Sequence, residues 1–273
     1  MYCPIHESYH HSSTFLQDNP SESGKKILRQ ARHCIAKLLV STNPSLLTSS
    51  QRMGSIKPLI QLIRDNDATD LQQFEALLAI TNLASADDET KERIVAEKGI
   101  STLSYAMFSD HDMVQRAATE AMCNLVPHPE MMRHLADHEH LRLWLAFASD
   151  GEGNFECARA AAGCLAMSTY DASIANALVE LKSFKESMLT MLECGNLEVM
   201  HRALVIVLNL VEQRGKCREA AINSGLVSFC EAYVVSYHDG KKADELHFSA
   251  SEQQQMAITV DVAKEIVRQA EGG

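Results

Sequence analysis

Three stretches of the chain share one pattern of apolar and polar positions: Glu75–Leu83 (EALLAITNL), Ala117–Leu125 (AATEAMCNL) and Arg202–Leu210 (RALVIVLNL). Asn82 and Asn124 lie 42 residues apart, and Asn124 and Asn209 lie 85 apart, which leaves room for one more unit centred near position 166. Arg159–Met167 (RAAAGCLAM) fills it, with Ala166 at the Asn place. A weaker copy, Gln30–Leu38, has Lys37 there. In this alignment Ala31, Ala76, Ala118, Ala160 and Ala203 stand six residues before the Asn place. Cys34, Ala79, Ala121, Gly163 and Ile206 stand three before it, and Ile35, Ile80, Met122, Cys164 and Val207 two before. Leu38, Leu83, Leu125, Met167 and Leu210 follow it. Spacings of three, four and seven put these positions on one face of a helix. The repeated Ala is the residue expected where two helices approach closely, because a larger side chain would hold them apart.

A repeat of about 42 residues built from helices belongs to the helical-solenoid architectures. Shorter amphipathic stretches, Glu89–Glu97 and Cys217–Asn223, follow the long helices. Gly99 and Gly225 come next, each expected to take the left-handed conformation that ends a helix. A middle helix such as Ile100–Phe108 then leads to the next copy. Short helix, Gly, middle helix, polar turn and long helix make a three-helix armadillo unit. The pattern predicts an all-α, right-handed armadillo-type solenoid of about four to five units over residues 24–270. A disordered polar tail over 1–23 precedes it. Residues 236–250 read as a polar loop and Gln253–Gln269 as a closing helix.

Composition narrows the function. Apolar residues make up 46% of the chain and aromatics only 5%, so Ala, Leu and Met fill the interior and favour helices over strands. The formal charge of −11 repels a phosphate backbone and argues against nucleic acid as a partner. No apolar run is long enough to span a bilayer, and the first residues lack a signal-peptide core, so no membrane partner is expected. The eight cysteines stand singly, and all but Cys3 lie in helical segments, which reads as reduced core thiols of a cytoplasmic protein. Cys3, His6, His10 and His11 match no closed zinc motif. Asp65, Asp67 and Asp70 lack the Gly and terminal Glu of a calcium loop, and Gly24-Lys25-Lys26 lacks the frame of a phosphate loop. With no nucleophile or acid–base constellation either, neither catalysis nor a cofactor is expected.

The segments Phe74–Ala84, Gln115–Val126, Ala160–Met167 and His201–Leu210 resemble, in order and spacing, the UCS-domain family of animal and fungal myosin chaperones over roughly residues 25–235. The resemblance is to the C-terminal part of that domain. It implies a protein-binding chaperone module that assists folding and assembly of the myosin motor domain, with myosin heavy chain as partner. An armadillo adaptor or scaffold without chaperone activity is the alternative reading. Animal members also carry an N-terminal tetratricopeptide domain for heat-shock protein 90 and a central armadillo region. Neither pattern is present in this sequence. Heat-shock protein 90 is thus a partner of the family, without its docking domain here.

The candidate client groove is the long-helix surface bearing Asn82, Arg116, Glu120, Asn124, Arg202 and Asn209. An amide offers both a donor and an acceptor to an extended main chain. Equally, an Asn near a helix C-terminus can satisfy end groups locally. Arg116, Arg159 and Arg202 stand two turns before the Asn place and suit either client acids or carboxylates of an adjacent repeat. Four residues before the Asn place stand His33, Leu78, Glu120, Ala162 and Val205. Armadillo nuclear-import receptors keep Trp there; here the one Trp, Trp144, falls in a middle helix, which argues against a receptor for localisation signals.

Overall fold

The computed structural model describes residues 21–151, 153–240 and 249–272. The tail boundary at 23 and the candidate Cys3/His6/His10/His11 cluster fall largely outside them. What is described at that boundary is already helical. Ser21 caps the first helix by accepting from the Gly24 amide, and helix α1 spans Glu22–Val40.

Helices follow without a strand among the described residues. A 3-10 turn, Pro44–Leu46, leads into α2 (Ser49–Ile63) and α3 (Asp70–Ala84). Then come α4 (Asp88–Ala96), α5 (Gly99–Ala106) and α6 (Asp112–Asn124), followed by α7 (Pro129–Ala136), α8 (His138–Ser149) and α9 (Phe155–Ser168). The last two trios are α10 (Ala172–Val179), α11 (Phe184–Glu193) and α12 (Leu197–Glu212), and α13 (Lys216–Asn223), α14 (Leu226–Gly240) and α15 (Ala250–Glu271). This is an armadillo-type solenoid. The 3-10 turn takes the place of the first short helix, and α1 is the lone long helix of an incomplete leading unit.

Caps written in the sequence set the boundaries. Thr48 and Thr69 form capping boxes with Gln51 and Gln72, and Ser249 does so with Glu252. Asp87, Asn154, Asp171 and Asn196 each accept from first-turn amides. These bonds satisfy donors that a helix leaves open at its start.

The long helices α1, α3, α6, α9, α12 and α15 pack side by side in one row, each against the next. Their buried faces carry the Ala column: Ala76, Ala118 and Ala203 are fully buried. Middle helices stack behind them, with Trp144 of α8 buried at 2% exposure. The apolar core runs from Ala36 to Ile266 as one continuous cluster, as expected when each unit buries its face only against neighbours.

Three expectations need correction. In α9 the buried positions include Ala161, Ala162, Cys164, Leu165, Ala166, Ser168 and Thr169, and Met167 between them is 46% exposed, in phase with the buried positions around Asn82, Asn124 and Asn209. Met167, not Ala166, therefore holds the Asn place, and the four long-helix copies stand at 82, 124, 167 and 209. In α1 the buried residues are His33, Ala36 and Leu39, and Ala31, Cys34 and Leu38 are exposed. That copy slips by one residue, because α1 ends the row and packs within it against α3 alone. Third, α14 runs on to Gly240 and α15 begins at Ala250, so the described polar connection is shorter than 236–250. The closing helix expected over Gln253–Gln269 is α15, which packs on α12 and α14 as the sixth member of the row.

The two glycines divide in role. Gly225 has φ +82° and takes the left-handed turn before α14. Before α5 it is Lys98, with φ 61°, that is left-handed. Gly99 is needed for closeness instead: a Cβ there would lie 2.6 Å from the Ile94 carbonyl oxygen and 2.5 Å from its Cγ2.

Candidate protein-binding site

The sequence-designated residues all lie on the long-helix row, but they play two different parts. The Asn residues tie one helix to the one before. Asn82 Nδ2 donates to the Leu39 and Thr42 oxygens at 2.9 and 2.7 Å. Asn124 Nδ2 donates to Thr81 O at 3.0 Å. Asn209 Nδ2 donates to Ala166 O at 2.9 Å and to Thr169 Oγ1 at 3.0 Å. The acceptors sit in the last turn of the preceding long helix, where carbonyls lack an intrahelical partner. The three amides thus spend their donors on the stack, and their Oδ1 atoms have no protein partner among the described residues.

Arg116, Glu120 and Arg202 form the second part, with three residues outside the designated six. Glu120 accepts from Arg116 at 3.2 Å and from Arg159 at 3.2 Å. Arg159 also meets Glu156 at 3.0 Å and Glu198 at 3.4 Å, and Arg116 meets Glu156 at 3.5 Å. Guanidinium and carboxylate alternate across α6, α9 and α12. Burial works against the Arg159 charge, but Glu156, Glu198 and Glu120 outweigh it and hold its pKa above the usual value. Arg202 differs. It donates from Nη1 to the main-chain oxygen of Arg159, and no carboxylate pairs with it among the described residues. Burial, then the positive charge of Arg159, lowers its pKa.

These side chains border a hollow of about 300 Å³ lined by Thr81, Glu120, Cys123, Asn124, Arg159, Ala160, Gly163 and Arg202. Burial pushes the Cys123 thiol up to about 11, so it stays neutral at physiological pH. Asn82 and Asn209 lie on the same row outside this hollow. The hollow mixes small apolar surface from Cys123, Ala160 and Gly163 with the charged side chains Glu120, Arg159 and Arg202 at its border.

Glu156 and Glu198 were missed by pattern reading because each looks like an ordinary first-turn acid beside a helix N-terminus. A usable signal was there: both lie three or four residues before an Arg of the repeated column.

Comparison with known proteins follows the same lines. No family model matches the chain. Human protein unc-45 homolog B is 33% identical over 221 residues, covering 79% of this chain and 23% of that protein. UNC-45 from Drosophila melanogaster superposes with a TM-score of 0.78 at 25% identity, over 92% of this chain and 30% of that one. A further UNC-45 chaperone structure, described for features critical for binding and folding muscle myosin, matches with a TM-score of 0.71 at 23% identity. It covers 90% of this chain and 26% of that one, and at that identity supports the fold alone. The chain spans about a quarter of the length of the curated relatives it matches.

Proposed function

We propose, since this chain belongs to the UCS-domain family, that it is a protein-binding chaperone module which engages the motor domain of a myosin heavy chain and assists its folding. The observation that carries this reading is the likeness to protein unc-45 homolog B across 79% of the chain, together with a long-helix face on which the Asn Oδ1 atoms have no protein partner among the described residues. The client surface in this reading is that face, from Asn82 through Arg116, Glu120 and Asn124 to Arg202 and Asn209. Acceptor Oδ1 atoms repeat along it at matched positions, and a solenoid lays matched positions along one continuous surface. Acceptors aimed at main chain do not demand one side-chain sequence, which suits a partly opened client.

Heat-shock protein 90 enters as a partner of the family rather than through a docking domain of these 273 residues. A cytoplasmic site of action fits a chain in which no described helix is long and apolar enough to cross a membrane.

The test is light scattering of a purified myosin motor fragment held at a denaturing temperature, with and without the full chain at equimolar concentration. Suppressed scattering, together with capture of the heated fragment, is the expected result. Binding of the native fragment without suppression would make the chain an adaptor. No binding to either form would remove myosin as the partner.

A further inference from the structure

Arg202 ends a series. Arg116, Arg159 and Arg202 follow one another at intervals of 43 residues on α6, α9 and α12, the first two eight residues before the Asn place and Arg202 seven. Arg116 reaches forward to Glu156 and Arg159 reaches forward to Glu198, each on the next long helix. Among the described residues no carboxylate of α15 pairs with Arg202. Its one protein bond is the Nη1 donation to the Arg159 carbonyl, leaving Nε and Nη2 without a protein acceptor among the described residues. The two carboxylates nearest in the series, Glu120 and Glu198, are already held by Arg159.

The wall beside this guanidinium carries the smallest residue of its column. Gly163 stands in the middle of α9, where the matched residues of the neighbouring helices are Leu78, Glu120 and Val205. A Cβ on Gly163 would come within 3.5 Å of Arg202 Nε and 3.6 Å of its Cζ. Gly inside a helix costs about 1 kcal/mol relative to Ala. Here the half-buried guanidinium lies against the bare backbone of α9, at a distance where an Ala methyl would make only ordinary contact. Gly163 and Arg202 both line the 300 Å³ hollow described above.

We propose that the hollow over Gly163 is a receptor for a client carboxylate, an Asp or Glu side chain of an extended segment, which Arg202 binds through its unused Nε and Nη2 donors. Two parallel N–H groups match a carboxylate in bidentate geometry. Glu120 does not oppose this ligand strongly, because two guanidiniums neutralise it. A basic side chain is disfavoured, since it would meet a cation already weakened by burial and by Arg159. The selectivity runs against the whole-molecule charge of −11, so it is a local property that long-range steering would mask at low salt. The inference rests on the proposed reading that the long-helix face is the client surface, and it names one specificity-determining contact on it.

The experiment uses an array of synthetic extended decapeptides of neutral background in which a central position carries Asp, Glu, Asn, Gln, Lys or phosphoserine. The full-length chain is probed at 150 mM salt. Wild type is expected to favour Asp and Glu over Asn and Gln by about fivefold or more. Arg202→Gln is expected to reduce that preference to within about twofold. Gly163→Leu, whose carbons beyond Cβ extend into the hollow against the Arg202 side chain, is expected to do the same, with circular dichroism showing that helix content is kept. Equal binding of acids and amides by wild type, or an unchanged preference in both variants, would overturn the proposal. A preference for phosphoserine more than about tenfold above Glu would overturn the carboxylate assignment. The array contains no myosin sequence. A failure of motor-domain capture therefore counts against the proposed function, and a failure of the acid preference counts against Arg202.

Discussion

Asn124 donates its Nδ2 hydrogen to the main-chain oxygen of Thr81 across 3.0 Å, from one long helix to the one before it in the row. Asn209 repeats the bond to Ala166 O at 2.9 Å, and Asn82 repeats it to Leu39 O at 2.9 Å. In every case donor and acceptor are 43 residues apart in sequence. The repeated Asn is therefore a clamp between units, whatever its carbonyl oxygen does for a client.

Asn124→Ala and Asn209→Ala are each expected to destabilise the fold by about 1–2 kcal/mol, the net worth of a hydrogen bond plus part of the cost of an unpaired carbonyl. Thermal denaturation followed by circular dichroism should show a lower midpoint for each and a larger drop for the pair. An unchanged midpoint for the double variant would mean that water replaces the amides without cost. Asn→Asp separates the two roles: it keeps the acceptor for a client and removes the donor to the stack.

Close helix approach is the second expectation. Ala118 and Ala161 are both fully buried between long helices. Leu at either position inserts three heavy atoms into a filled contact and should cost about 1–3 kcal/mol. Urea titration reads the effect directly. Ala31→Leu is the control, because Ala31 is exposed and its replacement should leave the midpoint in place.

The extent to which the chain could be read before its structure follows from these two columns. Copies with neighbours on both sides, at Asn82, Asn124 and Asn209, carry an unmistakable signature, since stacking constrains every buried position. The α9 copy misled by one residue: Arg159-Ala-Ala-Ala contains three small residues in a row, any of which fits the Ala column, and Gly163 and Ala166 blur the rest. α1 misled because a helix at the end of a row has one neighbouring row helix instead of two, so apolar residues such as Leu38, 70% exposed, carry no burial information. At the site, the repeat pattern put the candidate residues on the long helices, where the structure also has them. It could not show that the Asn donors are spent on the stack, or that Arg202 alone lacks an acid. Both depend on a one-residue register between helices.

Thiol chemistry should sort by burial. Cys34 and Cys194 are exposed, while Cys157, Cys164, Cys217 and Cys230 are buried. Burial pushes Cys230 up to about 12 and Cys164 well above the usual thiol value. The thiolate is the reactive form. Brief treatment of the native chain with iodoacetamide at pH 7.5, read by peptide mass mapping, should therefore modify Cys34 and Cys194 first. Cys164 and Cys230 should react only after unfolding. Early labelling of Cys164 would show that α9 opens locally.

The last prediction concerns acid. His134 on α7 and His140 on α8 stack with ring centroids 3.8 Å apart. His134 Nε2 lies 3.2 Å from Ser104 Oγ on α5, and His140 Nδ1 lies 3.2 Å from the His134 carbonyl oxygen. Asp137, which caps α8, is the acid facing the pair, 3.5 Å from His140 Nδ1. Burial, and secondarily His140, lowers the His134 pKa from 6.5 to about 4, against a smaller opposing pull from Asp137. The sign follows from linkage. A histidine whose folded value lies below its unfolded one binds protons more readily when unfolded. Its contribution is complete above about pH 6.5 and is lost as pH falls towards 4. The loss should amount to about 1–3 kcal/mol over that window. The stacked ring also needs a replacement that keeps its packing, so His134→Phe is the informative variant. Wild type should lose stability between pH 7 and pH 5 in urea titrations, whereas His134→Phe should lose less over the same interval. Parallel pH profiles for the two proteins would place the acid sensitivity elsewhere. Direct observation of the His134 ring by NMR, titrating near 6.5 in the native chain, would remove the burial argument itself.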